Sequence, residues 1–125
     1  MKEINLSKEI TTEDLLSQIY ALKDVDGIQL MWPLPSQIDT QLAYIAIAPS
    51  RDIDGIHYIG QKEIGAKSPF PPVTPAATMA LIDHYNIELE GVNILVIGRS
   101  PIVGAPLAHL LRERDAVVTV VHSTT

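Results

Sequence analysis

The run VNILVIGRSPIVGAPLAHLL, Val92 to Leu111, followed by AVVTVV at 116–121, constrains the fold more than any other part of the chain. An apolar strand over 92–97 meets Gly98, a helix follows over about 101–113, and a second apolar strand covers 116–121. This order is a βαβ unit, with two parallel strands joined by a crossover helix. Gly98 lets the backbone turn at the carboxyl end of the first strand. Ser100 is a suitable N-cap and Pro101 a suitable first helical residue. A helix start placed there offers N–H groups and partial positive charge to a pyrophosphate. Gly104 permits close approach of helix, strand or ligand. The glycines are not spaced as in the usual dinucleotide fingerprint, and any strand-to-helix turn can carry Gly and Ser. Alone, the segment therefore supports a nucleotide site and a plain turn equally.

The second strand adds chemistry. In NAD sites an acidic residue ends that strand and takes the ribose 2′-hydroxyl. Here the strand runs out through Val121, His122, Ser123 and Thr124, and Asp115 stands at its other end. A 2′-phosphate would meet no repulsion, and Arg99 and Ser123 are both placed to reach it, which favours NADP over NAD. The alternative for Arg99 is an exposed loop cation, and for His122 and Ser123 a polar strand end.

A doubly wound sheet normally has about five or six strands, and AVVTVV is apolar on both faces, as a strand between neighbours would be. With 125 residues, the chain is expected to be one domain or parts of two, a fragment or a piece completed by partner segments. A net charge of −6 and a pI near 5.0 argue against a nucleic-acid or anionic-membrane surface, since both need clustered Lys and Arg. With no cysteine there is no disulfide, thiolate metal site or cysteine nucleophile. No apolar run approaches the ~18 residues of a spanning helix, and no signal-peptide core follows Met1. A cytoplasmic protein is expected.

Upstream, Thr11-Thr12-Glu13-Asp14 resembles a capping box, and Leu15, Leu16, Ile19 and Leu22 fall on one face of the helix that follows. Gly27 to Met31 is expected as a short strand stopped by Pro33 and Pro35. Asp39 is expected to cap a second helix with Leu42, Ile45 and Ala46 inward and Pro49 ending it. After a Pro-rich stretch at 69–75, Thr74 is expected to cap and Pro75 to start a third helix carrying Met79, Leu81 and Ile82, and 86–91 is a linker. KDVDGI at 23–28 echoes as RDIDGI at 51–56, but the flanks differ and the echo reads as coincidence. The plain role of Asp24, Asp26, Asp52 and Asp54 is turn formation, and neither segment supplies a calcium-loop ligand series.

Four motifs in order resemble one family. GRSPIVGAPLAHLL with AVVTVVHSTT is similar to the nucleotide signature of the bifunctional methylenetetrahydrofolate dehydrogenase/methenyltetrahydrofolate cyclohydrolases. PPVTPAATMALI resembles their PCTP loop and helix, GIQLMWPLPSQID their GILVQLPLP segment, and PSRDIDGIH their P.KDVDGFH. The resemblance covers nearly the whole chain. It implies an α/β fold: part of an N-terminal α/β folate lobe (residues 1–85) and the first βαβ unit of a Rossmann-type NADP lobe (residues 86–125), truncated at both ends. It implies oxidation of 5,10-methylenetetrahydrofolate by hydride transfer to NADP, then hydrolysis of the methenyl product to the 10-formyl form, by a homodimer when full length. Gly98, Arg99, Ser100 and Gly104 match the cofactor loop, Ser123 a second phosphate contact, and Asp54 the carboxylate that holds the pterin. A carboxylate suits that role because it accepts paired N–H bonds from an aminopyrimidine edge.

The departures fall in the folate half. The family's Tyr-xxx-Lys pair lies upstream of this chain, and Tyr20-Ala21-Leu22-Lys23 has the wrong spacing. Met31 stands at the family's Gln position, and Gln29 is assigned to the opposite strand face. Val73 replaces the Cys of PCTP, Ala77 the following Gly, and Gly60 the Asn after Asp54. The isolated chain is therefore expected to be inactive in both steps and to bind NADP weakly. The competing expectation is a degenerate nucleotide-binding or interaction module without turnover, supported by Met31 and Val73.

Overall fold

The computed structural model describes residues 2–57 and 70–123. In chain order these form helix α1 (Thr12–Ala21), helix α2 (Thr40–Ala46), a 3₁₀ turn (Pro49–Arg51), helix α3 (Val73–His84), strand β1 (Asn93–Ile97), helix α4 (Gly104–Arg112) and strand β2 (Val117–Val121). The architecture is α/β, with β1 and β2 in parallel, Asn93 opposite Val117 and Ile97 opposite Val121. No described helix is long and apolar enough to cross a membrane.

Two hydrophobic clusters organise the chain. In the first, Leu15 and Ile19 of α1 pack with Ile28, Ile38, Ala43, Tyr44, Ile47 and Ile56. Thr11 caps α1, its Oγ1 accepting from the Asp14 N–H at 3.1 Å and donating to the Asp14 carboxylate at 2.7 Å. Asp39 caps α2 through the Leu42 N–H at 3.0 Å. The two helix starts are tied together, because Thr12 Oγ1 accepts from the Asp39 N–H at 2.9 Å. The buried face of α2 is Ala43 and Tyr44, followed by Ile47, and Ala46 packs half-buried beside them as expected, whereas Leu42 and Ile45 do not. Leu42 and Ile45 are exposed. A two-turn helix turns only one short arc inward, and the tether at Asp39 sets which arc meets α1. Helix α2 also stops at Ala46, short of Pro49. The proline instead opens the 3₁₀ turn, with Ala48 before it extended at φ −60° and ψ 137°.

The expected strand at 27–31 is reduced to one parallel bridge, Ile28 to Asp52, with the Ile28 N–H donating to the Arg51 carbonyl at 2.7 Å. A ladder needs successive partners, and the turn at Arg51 to Gly55 offers only one position before it curls away.

In the second cluster Met79 of α3, Leu89, Val96 of β1, Ala108 and Leu111 of α4, and Ala116 are buried together, with Ile82 packed beside them. Met79 and Ile82 thus join this cluster although they precede residue 85. Helix α3 begins at Val73, not Pro75, and its first backbone bond runs from the Ala76 N–H to the Pro72 carbonyl. Pro75, third in the helix, occupies a position whose N–H would be unpaired in any case. Pro106 decides the start of α4 in the same way. A helix from residue 101 would put Pro106 in its interior, where a donor is required. The helix instead starts at Gly104, with Pro106 third and buried, and 101–103 form a turn.

Both α3 and α4 end in a residue with positive φ, Asn86 at 52° and Asp115 at 59°. In each the next N–H reaches back five residues, Ile87 to the Ile82 carbonyl and Ala116 to the Leu111 carbonyl. These are left-handed C-terminal caps, which satisfy carbonyls that the helix end leaves open. Arg114 and Asp83 pair at these two ends.

Gly55 links the two halves. Its φ is +66°, and a Cβ there would lie 2.5 Å from the Pro71 carbonyl carbon and 2.6 Å from Phe70 O and Pro72 N. Gly91 has a similar φ, +70°, but open space around it. Gly55→Ala is therefore expected to cost about 2–4 kcal/mol and Gly91→Ala about 1 kcal/mol. Urea unfolding of both variants checks this, and equal losses would contradict the packing argument.

Candidate functional site

Two constellations contain the residues singled out by sequence. The first lies at the carboxyl end of β1. Gly98 has φ +118°, a conformation that L side chains rarely adopt, and its N–H donates to the Val121 carbonyl at 2.7 Å. That bond locks the β1 end beside the β2 end. Because Ile97 pairs with Val121, Arg99 and Ser123 lie equally far past the pair, and both are exposed. Gly104 packs on the same turn so tightly that a Cβ would lie 2.2 Å from the Gly98 carbonyl oxygen. The glycine there is required by the approach of α4 to the turn.

Ser100 is not the N-cap of α4. Its Oγ accepts from the Val103 N–H at 3.0 Å and the Gly104 N–H at 3.4 Å, and its carbonyl accepts from the Ala105 N–H at 3.0 Å. It closes the turn at 101–103 and uses donors that the sequence assigned to an anion. What remains for a ligand is the outer edge of the turn, the Ser100 hydroxyl hydrogen and the Arg99 guanidinium. Beside the turn, a cleft of about 390 Å³ opens between α3, β1 and α4. Thr78 and Ile82 line one side of it, and Ile97, Gly98, Ser100 and Gly104 the other.

The second constellation is the apposition of the two Asp-x-Asp-Gly segments, which sequence reasoning had dismissed as an echo. They lie side by side. Beyond the Ile28–Arg51 bond, a Cβ on Gly27 would lie 2.5 Å from Ile53 Cγ2, so position 27 is also held close to the second copy. Arg51 sends its guanidinium back to the Leu22 carbonyl at 2.9 Å. Asp52 is fully buried, and its Oδ2 accepts from the His57 N–H at 2.6 Å while Oδ1 has no partner. His57 Nδ1 lies 2.7 Å from the Ile47 carbonyl.

Asp54 is half-buried at the rim of this turn, and its Oδ1 accepts from Gln29 Nε2 at 2.9 Å. Partial burial raises its pKa above the ordinary aspartate value and the neighbouring Asp52 charge adds to the rise, while the Gln29 bond opposes it. The alternation that assigns Gln29 to the face opposite Met31 does not separate residues two apart. Residues two apart share a face in an extended segment, and Gln29 reaches Asp54 while Met31 is 75% exposed. No local pattern in the sequence signals Gln29, because its place beside Asp54 depends on the bridge at Ile28.

Helix α3 connects the two constellations. The segment that leads into it, Phe70 to Pro72, lies against Gly55, and Thr78 and Ile82 of the helix line the cleft at Gly98. Val73, at the first position of α3, is exposed, and so is Ala77. Gly60 and Thr124 lie outside the described residues. Tyr20 is exposed on α1. No cluster of three His, Cys, Asp or Glu residues suited to a metal ion occurs among the described residues.

A parallel βαβ unit with a positive-φ glycine after the first strand and a second glycine packed on that turn is of the NAD(P)-binding class. Residues 72–125 match the family model for the tetrahydrofolate dehydrogenase/cyclohydrolase NAD(P)-binding domain. Over 129 aligned residues the chain is 44% identical to the bifunctional protein FolD of Shouchella clausii, covering 99% of this chain and 46% of that protein. The crystal structure of FolD, the methylenetetrahydrofolate dehydrogenase/cyclohydrolase of Campylobacter jejuni, superposes with a TM-score of 0.87 at 39% identity, covering 94% of this chain and 44% of that one. The Trypanosoma brucei enzyme, solved with NADP cofactor and an inhibitor, gives a TM-score of 0.80 at 34% identity, covering 94% and 42%. The chain is similar over nearly its whole length to the methylenetetrahydrofolate dehydrogenase/cyclohydrolases, and it spans about half the length of the curated relatives it matches.

The raised pKa of Asp54 has a consequence for stability. A carboxyl that holds its proton more tightly when folded supports the fold below the unfolded pKa. That support is lost as the pH rises through the folded value, so the ionised form is the costly one. Asp54→Asn keeps an acceptor for Gln29 and removes the charge. It is expected to be more stable than the parent at pH 7, with the advantage shrinking as the pH falls through the carboxylate range. Thermal unfolding of both proteins from pH 3 to 7 tests this, and a constant difference would contradict it.

Proposed function

We propose that this chain carries the folate- and NADP-binding surfaces of an enzyme that oxidises 5,10-methylenetetrahydrofolate and hydrolyses the 5,10-methenyl product to 10-formyltetrahydrofolate. The observation that carries the reading is the placement of Arg99 and Ser123 each two residues past the locked strand ends, with no carboxylate at the end of β2. A 2′-phosphate there meets a guanidinium and a hydroxyl and no negative neighbour, whereas the unphosphorylated ribose has no acid to bond. Gly98 and Gly104 keep the turn thin enough for a pyrophosphate to approach its outer edge, and the Ser100 hydroxyl offers one donor.

Bound NADP supplies the hydride acceptor. The residues of the chain bind and orient. Asp54 accepts the N–H groups of the aminopyrimidine edge and fixes the pterin, and the cleft beside Ser100 and Gly98 offers room for the cofactor. Hydride transfer between two bound reactants needs alignment and no protein acid or base on the nucleotide side. The hydrolytic step needs a tuned proton-transfer group, which in this family is the Lys of the Tyr-xxx-Lys pair. The roles assigned to these 125 residues are binding and orientation. A division into a folate part, 1–85, and a nucleotide part, 86–125, follows from this assignment, with α3 shared between their sites. A cytoplasmic location and a homodimer accompany the reading, as do the absence of a nucleic-acid partner and of a membrane, supported by the acidic composition.

The alternative, a binding module without turnover, is favoured by one observation. Position 31, an amide in the family motif, carries Met31 here, with its side chain in solvent.

Calorimetric titration of the 125-residue chain with NADP and NAD tests the cofactor assignment. NADP is expected to bind about tenfold or more tightly than NAD, because a charge-assisted bond to phosphate contributes that much. Arg99→Ala should lower the NADP affinity towards that of NAD. Equal affinity of the parent for both would overturn the 2′-phosphate assignment.

A further inference from the structure

We infer that Gln29 is a positioning residue of the pterin site, the amide that fixes the rotamer of the Asp54 carboxylate for a 2-aminopyrimidinone edge. The inference rests on the folate reading of Asp54. Gln29 and Asp54 are 25 residues apart and are brought together by the parallel apposition of the two Asp-x-Asp-Gly segments. The Ile28–Arg51 bond sets the register, and the tight fit of Gly27 against Ile53 holds the spacing. Gln29 then points along the same side as Asp54 and donates to Oδ1 at 2.9 Å. A carboxylate only accepts, so the amide nitrogen must face it.

The consequence is geometric. A free aspartate on a turn samples several orientations about χ1 and χ2, and two parallel N–H bonds from a planar heterocycle require one of them. Anchoring Oδ1 removes that freedom before the ligand arrives. Oδ2 and the second lone pair of Oδ1 are left for the ligand. Preorganisation of this kind raises affinity by cutting the ordering cost of binding.

Gln29 also offsets the two effects that disfavour the ionised form of Asp54, its partial burial and the adjacent buried Asp52. The charged groups nearest Asp54 give no other support. Arg51, on the same turn, directs its guanidinium to the Leu22 carbonyl. Met31, where the family motif has its amide, is 75% exposed and has no donor to offer. In this chain the amide that serves Asp54 stands two residues earlier, at a position where the family motif GILVQLPLP carries a leucine.

The test uses the 125-residue chain, as parent, Gln29→Leu and Asp54→Asn, each checked for folding by circular dichroism. Gln29 is exposed, so its replacement leaves both cores intact. Two quantities are measured: the Asp54 side-chain carboxyl titration by ¹³C NMR, and the affinity for 5-formyltetrahydrofolate. Gln29→Leu is expected to move the Asp54 titration to higher pH and to weaken folate binding about three- to tenfold, the effect of losing one side-chain hydrogen bond. Asp54→Asn is expected to weaken it further. An unmoved Asp54 titration in Gln29→Leu overturns the inference. So does unchanged folate affinity in Gln29→Leu when Asp54→Asn has lost it. If Asp54→Asn binds as well as the parent, the folate reading of Asp54 is what fails, and the role of Gln29 in it falls too.

Discussion

The contact between Gly55 and the backbone of Phe70 to Pro72 is the constraint on which the rest depends. The first hydrophobic cluster is closed by Ile56, one residue past Gly55, and the second opens with Met79, seven residues past Pro72. Between them Gly55 packs directly on the backbone of Phe70 to Pro72, where no side chain fits. It sets the start of α3 against the Asp54 turn, and α3 then carries that placement to the cleft beside Gly98, because a helix is stiff over its 12 residues. Two glycines, at 55 and at 104, thus fix two close approaches, one at each constellation. In each the glycine is chosen by what lies opposite it. The backbone angle matters at Gly55 and Gly98, and the space alone matters at Gly104.

Prolines set the helix starts by a single rule, the missing donor. Pro75 and Pro106 both occupy the third helical position, where an N–H has no intrahelical acceptor to meet. For α4 this moves the helix three residues beyond the place that Ser100 and Pro101 suggest. Ser100 then faces a turn rather than a helix start. The turn's first donors are bound within the chain, so an anion at this site relies on the Arg99 charge and on side-chain hydroxyls more than on a bare helix terminus.

The βαβ unit, its parallel pairing and the caps at Thr11 and Asp39 are legible in the sequence because each rests on local rules: alternation, capping oxygens, glycine after a strand. Residues Gly98, Gly104 and Asp54 were also legible, as types that their turns require. The exact helix starts were missed where proline's donor requirement was not applied, at Pro75 and Pro106. Most of the inward face of α2 was missed because a seven-residue helix has too few turns for periodicity to specify which arc is buried. The neighbourhood of Asp54 was missed for a different reason. The two Asp-x-Asp-Gly segments are similar in sequence, and similarity says nothing about contact. Their apposition is a long-range fact, set by one bridge at Ile28 and the fit of Gly27 on Ile53.

That apposition also explains why two aspartates so close in sequence do different work. Asp52 is wholly buried and takes the His57 N–H, so it terminates the turn and starts the segment after it. Asp54 remains at the rim, half-buried, with Oδ1 held by Gln29. A buried charge two residues away makes ionisation of Asp54 harder, and a pterin edge that donates two N–H groups makes it easier by bonding the charged form. Under the folate reading proposed for Asp54, a bound pterin edge would relieve the charge that Asp52 and partial burial make unfavourable. This is the arrangement expected where a fold gives up some stability to hold a carboxylate ready for a cationic or hydrogen-donating ligand.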